Sequence, residues 1–468
     1  MRVNKCMFLT LILLLWITSL EACTIFSGKD KKGQVWAGNN EDFYFTFKSY
    51  INVVKTTDST FGYIYFTHFQ PYINIQGGTN EAGLFFDFNA IRPSEYKGFD
   101  KKKDFPGGPD EMLRFILKKC KTVQEVLDLF KIYRAPYLET AQMHIADKYG
   151  NLGIIVPDSM WITKSPYQIS TNYNLCHPDK DGKVCWRFPI ADRILKTQGP
   201  GLESFREICD STSQRNKIST IYSNIHNLTT GDIWFYYGLD YKTAFKTNIK
   251  DLLKRGNTSF LMHELFLKEP LVSIYKTYQD HGIIKSLKQM ESYKLSEKRK
   301  EEILKLLTSG LILLNHDFNS YPFLERLIRS TKEQDTITQI INSTSLFCMG
   351  NKKEALATLS NSIVKNPNNT TMTYIFNQMQ GVFEDGVNVN FELKGFAAAK
   401  YVFVDGLSFP NTKYFLIKDG ENWIGKFKLL PDEYIYIFII DGKRVLDPNS
   451  HDIVNYNGLD FNHIIVKN

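Results

Sequence analysis

The stretch LEACTIFSGKDKKGQVWAGNNED, residues 20–42, decides the fold and carries the first candidate site residue. Cleavage after Ala22 would leave Cys23 at the N-terminus, with a thiol and a free α-amine on one residue. That pair is the minimum set for amide hydrolysis by an N-terminal nucleophile. The α-amine has an ordinary pKa of about 7.7 to 8.0, so part of it is free base near neutral pH. The sequence therefore predicts Cys23 as a nucleophile that needs no separate histidine base.

Residues 1–22 have the pattern of a secretory signal peptide. Arg2 and Lys5 precede the apolar run from Met7 to Leu20, and the small residue Ala22 stands before the predicted cut. A membrane span needs about 20 unbroken apolar residues, and this run is shorter and interrupted by polar residues. We therefore expect export, to a secreted or periplasmic location.

A second interpretation uses the same residues. Leu-x-Ala-Cys is also typical of a bacterial lipoprotein signal, in which Cys23 becomes acylated on sulfur and nitrogen. Glu21 is a poor residue for that signal. Acylation would abolish the proposed chemistry, so the alternative is an envelope lipoprotein whose inactive sandwich and C-terminal modules act only in binding.

Further motifs follow Cys23 in order. They are GNNED at 38–42, NEAGL at 80–84, DFN at 87–89, TN at 171–172 and WRF at 186–188. This series resembles that of the choloylglycine hydrolase and penicillin V acylase family, in which an N-terminal Cys-Thr leads a strand hairpin. The resemblance implies an α+β fold, a four-layer αββα sandwich whose first strand carries the nucleophile.

The resemblance also implies a role for each candidate site residue. In that family a carboxylate returns to the α-amine, two asparagines form the oxyanion hole, and an arginine braces the nucleophile. The matching catalytic residues are Cys23, Asp42, Asn89, Asn172 and Arg187. An ionised Asp42 would orient the amine and stabilise its charged form. We expect the substrate to contact Asn39, Phe43 and Phe88.

One position departs from the family pattern. Asn39 stands where the family has an arginine, so a positive charge beside the nucleophile is missing. Asparagine can still donate a hydrogen bond, but it cannot lower the pKa of Cys23 by charge. This favours a branch that acts on amides other than bile salts and penicillin V, with loss of activity as the alternative.

The expected activity is hydrolysis of linear, non-peptide amide C–N bonds through an acyl thioester. The aromatic residues near the site favour a small-molecule substrate with an apolar acyl group, although such residues are usually core. Acyl transfer to another amine, or peptide hydrolysis, would use the same catalytic residues. No cofactor is predicted.

Composition sets limits on partners and on metals. The chain has 57 basic and 50 acidic residues, a net charge of +7, and its lysines are scattered, so no nucleic-acid partner is predicted. No zinc site is predicted, because the chain has no Cys-x-x-Cys pair and its nine histidines show no ligand spacing. Cys176 and Cys185 flank a polar loop, and an oxidising compartment would permit a bridge between them.

Periodicity predicts the elements of the N-terminal region. Short strand-like runs with Gly, Asp and Thr turns fill the chain from Cys23 to about Asn89. Apolar residues then recur at helical spacing from Pro109 to Tyr133, with Thr122 as a cap between two helices. Another helix is predicted over Arg187 to Lys196. We place this amidohydrolase domain at residues 23–268.

The remaining chain changes texture twice. Residues 269–385 are helical and lysine-rich, and the run from Gly350 to Pro367 resembles the second helix of a tetratricopeptide repeat. Residues 388–468 have a period of two and resemble the immunoglobulin-like glycogen-binding modules. Val445 stands where such modules carry a tryptophan, and Trp423 is predicted to be core. These features favour a structural or docking role over glycan binding, with protein or glycan partners as the possibilities.

Overall fold

The computed structural model describes residues 23–467 except 69, 95, 97, 178–184, 216–217, 316, 332–335, 384, 407–413 and 457–458. The predicted signal peptide, residues 1–22, therefore lies outside the described residues. The described chain divides into two compact units, one ending at Leu306 and one beginning at Leu307. The helices that follow residue 268 up to Leu306 thus cluster with the first unit.

The first unit contains a six-stranded sheet built around the N-terminal hairpin. Every neighbouring pair is antiparallel, in the order β10-β1-β2-β11-β12-β13. Its strands are β1 (Thr24–Lys29), β2 (Val35–Phe43), β10 (Tyr167–Ser170), β11 (Ser219–Asn227), β12 (Asp232–Tyr237) and β13 (Asp240–Asn248). The turn between β1 and β2 is held by Asp30, whose Oδ1 accepts the backbone N–H groups of Lys32 and Gln34 at 2.8 and 2.9 Å. The hairpin returns the motif GNNED to the start of β1.

The second sheet has eight antiparallel strands in the order β14-β3-β4-β5-β6-β7-β8-β9. They are β3 (Ser49–Val54), β4 (Tyr63–His68), β5 (Ile75–Asn80), β6 (Leu84–Ala90), β7 (Ala141–Asp147), β8 (Leu152–Val156), β9 (Ser159–Ile162) and β14 (Thr258–Leu261). The motif NEAGL is the turn between β5 and β6. Asn80 Oδ1 accepts the N–H of Leu84 at 3.0 Å, and Gly83 has a φ of 84°, which favours glycine.

Helices cover the outer face of each sheet. The second sheet packs against α1 (Pro109–Lys119) and α2 (Val123–Ile132), and the first sheet packs against α3 (Arg187–Gln198) and α4 (Leu202–Ser211). Thr122 and Glu125 form a capping box at the start of α2, as the sequence predicts for Thr122. A third apolar layer lies between the two sheets, with Ile25, Ala37 and Phe85 in it. The layers are therefore helix, sheet, sheet, helix, and the predicted α+β sandwich is confirmed.

Short helices complete the first unit. They are α5 (Ile249–Leu253), α6 (Pro270–His281), α7 (Ile283–Ser292) and most of α8 (Glu297–Thr308), within which the unit ends at Leu306. Helix α8 is fastened to the first sheet by Arg299, whose Nη1 donates to the carbonyl of Gly238 at 2.8 Å. Arg215 also pairs with Glu302 of this helix. These polar contacts explain why the first unit extends past the last strand of its sheets.

The second unit begins with a helical segment. After a π-helical turn over Ser309–Leu314, it contains α9 (Tyr321–Ser330), α10 (Thr336–Cys348), α11 (Lys352–Lys365) and α12 (Thr370–Gln380). The run that resembles a tetratricopeptide helix forms α11 and buries Ala355 and Leu359. The repeat assignment itself stays a prediction.

Eight strands end the second unit. They are β15 (Val389–Leu393), β16 (Val402–Asp405), β17 (Tyr414–Asp419), β18 (Asn422–Phe427), β19 (Asp432–Ile440), β20 (Lys443–Val445), β21 (Ile453–Tyr456) and β22 (Leu459–Val466). Seven pair in the order β15-β18-β17-β16-β19-β22-β21, and β20 pairs with β19. Trp423 is buried and its Nε1 donates to the carbonyl of Phe396 at 3.0 Å, which confirms its core position. The immunoglobulin-like assignment stays a prediction.

Across the described part of the chain, helices that combine the length and the apolarity needed to cross a membrane are absent.

Candidate active site

Cys23 stands directly before β1, where the hairpin brings the end of β2 back beside it. Thr24 pairs with Asn40, so the next residues of β2, Glu41 and Asp42, lie next to the cysteine. The thiol is 6% exposed, and its Sγ donates to Oε2 of Glu41 at 3.6 Å. The first strand thus places a sulfur between two carboxylates.

Side chains alternate along β2, so its two faces carry different groups. The face toward the helices presents Asp42, and we call the group around it the helix-side cluster: Asp42, Asn172, Arg187 and Thr220. Arg187 Nη1 lies 2.8 Å from Oδ2 of Asp42, and its Nη2 donates to Oδ1 of Asn172 at 2.5 Å. An irregularity in β11 leaves Thr220 opposite Asp42, and the Thr220 hydroxyl donates to Oδ1 of Asp42. One guanidinium therefore fixes two predicted catalytic side chains.

Arg187 is the largest fully buried side chain of the protein's described residues. It is the first residue of α3, and its Nε also donates to Sγ of Cys185 at 3.3 Å. Charges are rarely buried unless they are paired, and Asp42 supplies the partner here. Arg187 thus holds Asp42 and Asn172, and its predicted role as a brace for the nucleophile stays a prediction.

The two predicted oxyanion asparagines lie on neighbouring segments. Asn89 Nδ2 donates to the backbone carbonyl of Cys23 at 3.0 Å, and Asn172 Nδ2 donates to the carbonyl of Ala90 at 2.8 Å. Each primary amide has two N–H donors. The structure thus brings together all five predicted catalytic residues, from separate segments of the first unit.

The electrostatic environment keeps the thiol protonated at rest. Burial raises the pKa of Cys23 well above its ordinary value, and the charges of Glu41 and Asp42 raise it further. The backbone N–H of Asp42 opposes this shift. Burial also raises the pKa of Asp42 to about 6, against the lowering effect of Arg187 and Thr220. A nucleophilic role for Cys23 would therefore require a base near the sulfur.

The other face of β2, toward the second sheet, carries a group that sequence reasoning missed. We call it the Glu41 cluster: Asn39, Glu41, Ser49 and His68. Oε2 of Glu41 accepts from Asn39 Nδ2 at 3.3 Å, and Oε1 lies 2.9 Å from His68 Nε2. His68 Nδ1 lies 3.2 Å from Ser49 Oγ. The alternation within GNNED could have placed Asn39 and Glu41 on one face, but nothing in it points to His68.

The residues predicted to contact substrate lie in different settings, and Phe88 packs against the core between the second sheet and its helices, on the face of β6 away from Asn89. Asn39 is fully buried and contacts Glu41. The half-buried ring of Phe43 stacks on His68 with centroids 6.0 Å apart. Phe88 packs edge to face on Tyr137 at 5.2 Å. Their contact with a substrate stays a prediction.

The cysteines of the polar loop are both free thiols, so the bridge between Cys176 and Cys185 is not formed. Within the described ranges, the ligand-type atoms of Asp158, Cys176 and His177 lie within 4.8 Å of one another. His177 pairs with Asp158 through Nε2. This group had no spacing signal in the sequence, because Asp158 comes from a distant turn.

Comparison with known proteins supports an enzyme domain in the first unit. Residues 28–177, less than half of the chain, match the family model described as acyl-coenzyme A:6-aminopenicillanic acid acyl-transferase. No curated protein sequence matches the chain significantly.

Solved structures were also compared. A single-residue variant of conjugated bile acid hydrolase from Clostridium perfringens is 15% identical, with 51% of this chain and 96% of that chain covered and a TM-score of 0.39. Penicillin V acylase from Agrobacterium tumefaciens is 14% identical, with 51% and 91% covered and a TM-score of 0.37.

The layered sandwich, the cysteine that leads its first strand and the family match indicate the class of protein. It is an enzyme whose residues 28–177 are similar to the acyl-coenzyme A:6-aminopenicillanic acid acyl-transferase family.

Proposed function

We propose that the chain hydrolyses linear, non-peptide amide C–N bonds, with Cys23 as nucleophile and its own α-amine as base. The observation that carries this proposal is the meeting of Cys23, Asp42, Asn89, Asn172 and Arg187 in one buried group. The proposal requires removal of residues 1–22 and export, as the signal pattern predicts.

The reaction has two halves. Sγ of Cys23 attacks the acyl carbonyl while the α-amine accepts the thiol proton, and the C–S bond forms. Asn89 and Asn172 would donate amide N–H groups to the oxyanion, as the family resemblance implies. The α-amine then returns the proton to the departing amine as the C–N bond breaks. Water then attacks the thioester and gives a proton to the α-amine of Cys23, which passes it to Sγ as the C–S bond breaks, so the acid and the free thiol are released.

Acyl transfer is a second candidate, and the name of the matching family model favours it. An amine in place of water would then attack the thioester, with the same residues in the same roles. The half-buried aromatic ring of Phe43, which stacks on His68, supports an apolar acyl group. The ratio of transfer to hydrolysis, measured with and without an added amine, separates these two activities.

The experiment that tests the proposal starts with the intact mass of the exported protein. A chain that begins at unmodified Cys23 supports it, and a diacylglyceryl adduct at that residue would instead establish the lipoprotein. The processed chain is then incubated with N-acyl amino acids, phenoxyacetyl amides and a peptide panel. Release of a small acid, and no peptide cleavage, is the expected result.

A further inference from the structure

The mechanism above leaves one buried carboxylate beside the nucleophile without a role. Glu41 is 5% exposed, and its Oε2 is the acceptor for the Cys23 thiol at 3.6 Å. A negative charge here disfavours the thiolate that the reaction needs. The buried charge of Glu41 makes the thiolate of Cys23 less stable, and its presence there calls for an explanation.

The position of the Glu41 carboxylate is fixed by His68, which contacts Oε1, the oxygen that does not accept from Cys23. A carboxylate can only accept hydrogen bonds, so Nε2 of His68 carries the proton in its 2.9 Å contact with Oε1. Nδ1 of His68 lies 3.2 Å from Ser49 Oγ, so the ring is held from its other side as well. The His68 ring is held by stacking on Phe43 and by an edge contact with Phe47, with centroids 6.0 and 5.7 Å apart. Strands of both sheets thus hold one carboxylate against the sulfur.

We propose that Glu41 is a positioning residue, which accepts the thiol hydrogen bond and so holds Sγ of Cys23 in its reactive position, and that His68 orients Glu41. This inference rests on the proposed function. The α-amine takes the thiol proton when the C–S bond forms, so Glu41 neither gains nor loses a proton during the cycle. Its charge keeps the thiol protonated until the acyl carbonyl is in place.

Several other charged or titratable groups act on the same sulfur, so the effect of Glu41 must be separated from theirs. They come from β2, β6, α3 and β11 and are Asp42, Asp87, Arg187 and Tyr222. Only the Glu41 side chain is in hydrogen-bond contact with Sγ among the described side-chain pairs. A variant of Glu41 therefore changes the contact and the charge together, and a variant of His68 changes the support alone.

Glu41→Gln is the first test, with two readouts. Because Oε1 must still face the Nε2–H of His68, the new amide turns its NH₂ toward Sγ and reverses the hydrogen bond. Alkylation of Cys23 by iodoacetamide at pH 7, followed by peptide mass, should become about tenfold faster, because loss of the Glu41 charge favours the thiolate. The kcat of amide hydrolysis should fall about tenfold with little change in KM. A merely structural role would lower both rates.

His68→Phe is the second variant and stands in if Glu41→Gln does not fold. It keeps the ring packing but removes the donor, so kcat should fall while the alkylation rate does not rise. Glu81→Gln is the matched control, because Glu81 is bound to Gly62 N and Thr56 Oγ1 at 2.7 Å, and both rates should stay unchanged.

Rates within twofold of the parent in both Glu41→Gln and His68→Phe would overturn the inference. So would a parallel fall of alkylation and hydrolysis in Glu41→Gln. Failure of the proposed function has a different signature, since Cys23→Ala would then retain hydrolysis. The alkylation readout needs no amide substrate and stays informative in that case.

Discussion

The two faces of β2 carry two carboxylates next to Cys23, Asp42 and Glu41, in different surroundings. On the helix-side face Arg187 neutralises Asp42, and the pair is part of a motif series that the sequence displays. On the opposite face Glu41 is held by His68 and Ser49, from strands without any motif. A sequence motif can therefore identify one half of a site, while the other half depends on how two sheets pack.

The largest effect on the rate is expected from replacing Cys23, which lies next to the carboxylates of both faces of β2. Cys23→Ala should lower amide hydrolysis by at least about 10⁴-fold, because loss of a nucleophile removes the whole covalent route. Product formation is measured under saturating substrate. The control is Cys120→Ala, a buried cysteine in the core of the second sheet, which should keep its rate. Equal rates for the two variants would contradict the assignment of Cys23.

Disrupting the helix-side cluster should lower the free energy of unfolding as well as the rate of amide hydrolysis. Arg187→Gln leaves Asp42 buried without its cation, and such losses cost about 3–5 kcal/mol of unfolding free energy. Urea unfolding followed by circular dichroism measures it. Arg193→Gln, on the exposed side of the same helix, is the control and should change stability by less than about 0.5 kcal/mol. A loss of unfolding free energy as small as that of Arg193→Gln would mean that the Arg187–Asp42 ion pair does not stabilise the fold.

Removing one oxyanion donor should lower kcat with little change in KM. Asn89→Ala is expected to lower kcat by about 10²- to 10³-fold, the usual cost of one such donor. The exposed strand residue Asn390 provides the matched control, Asn390→Ala, with unchanged kcat. If Asn89→Ala altered KM and left kcat intact, Asn89 would be a binding residue.

The raised pKa of Asp42 predicts a pH-dependent stability. Its native value of about 6 lies above the ordinary value of an aspartate, so the native state binds the proton more tightly than the unfolded chain. The unfolding free energy should therefore fall by about 2–3 kcal/mol as pH rises from about 4 to about 6. Asp42→Asn lacks this titration, so the decline should show in the difference between the two curves. A flat difference would contradict a raised pKa.

The smallest effect on stability is expected from Asn39, a member of the Glu41 cluster. Asn39→Ala removes one donor to Glu41, but it also removes Oδ1, which is buried without a hydrogen-bond partner among the described residues. The two effects oppose each other, so unfolding free energy should change by about 1 kcal/mol or less. Thermal unfolding tests this. A loss as large as that of Arg187→Gln would show that Asn39 supports the site more than its contacts indicate.

Local patterns predicted the elements of the first unit well. The Thr122 cap is present, and the helix predicted over Arg187 to Lys196 runs to Gln198. The predicted catalytic residues meet because each lies at a strand or helix end that the motif series marks. Their chemical roles stay predictions.

The Glu41 cluster could not be predicted for a physical reason. A period of two tells which face of a strand a side chain occupies, but it does not tell which strand of the opposite sheet lies there. His68 reaches Glu41 because the two sheets stack in one particular alignment, and that alignment is set by the apolar layer around Ile25 and Phe85. The same limit hid the group of Asp158, Cys176 and His177.

The central claim is that the sulfur of an N-terminal Cys23 takes up the acyl group. The most direct measurement is the mass of the enzyme trapped by rapid acid quench with a slowly hydrolysed amide. We expect an N-terminal peptide that begins at Cys23 and carries the mass of the acyl group as a thioester. Hydroxylamine should remove this acyl group. A chain that begins elsewhere, a blocked α-amine, or an acyl group on another residue would contradict it.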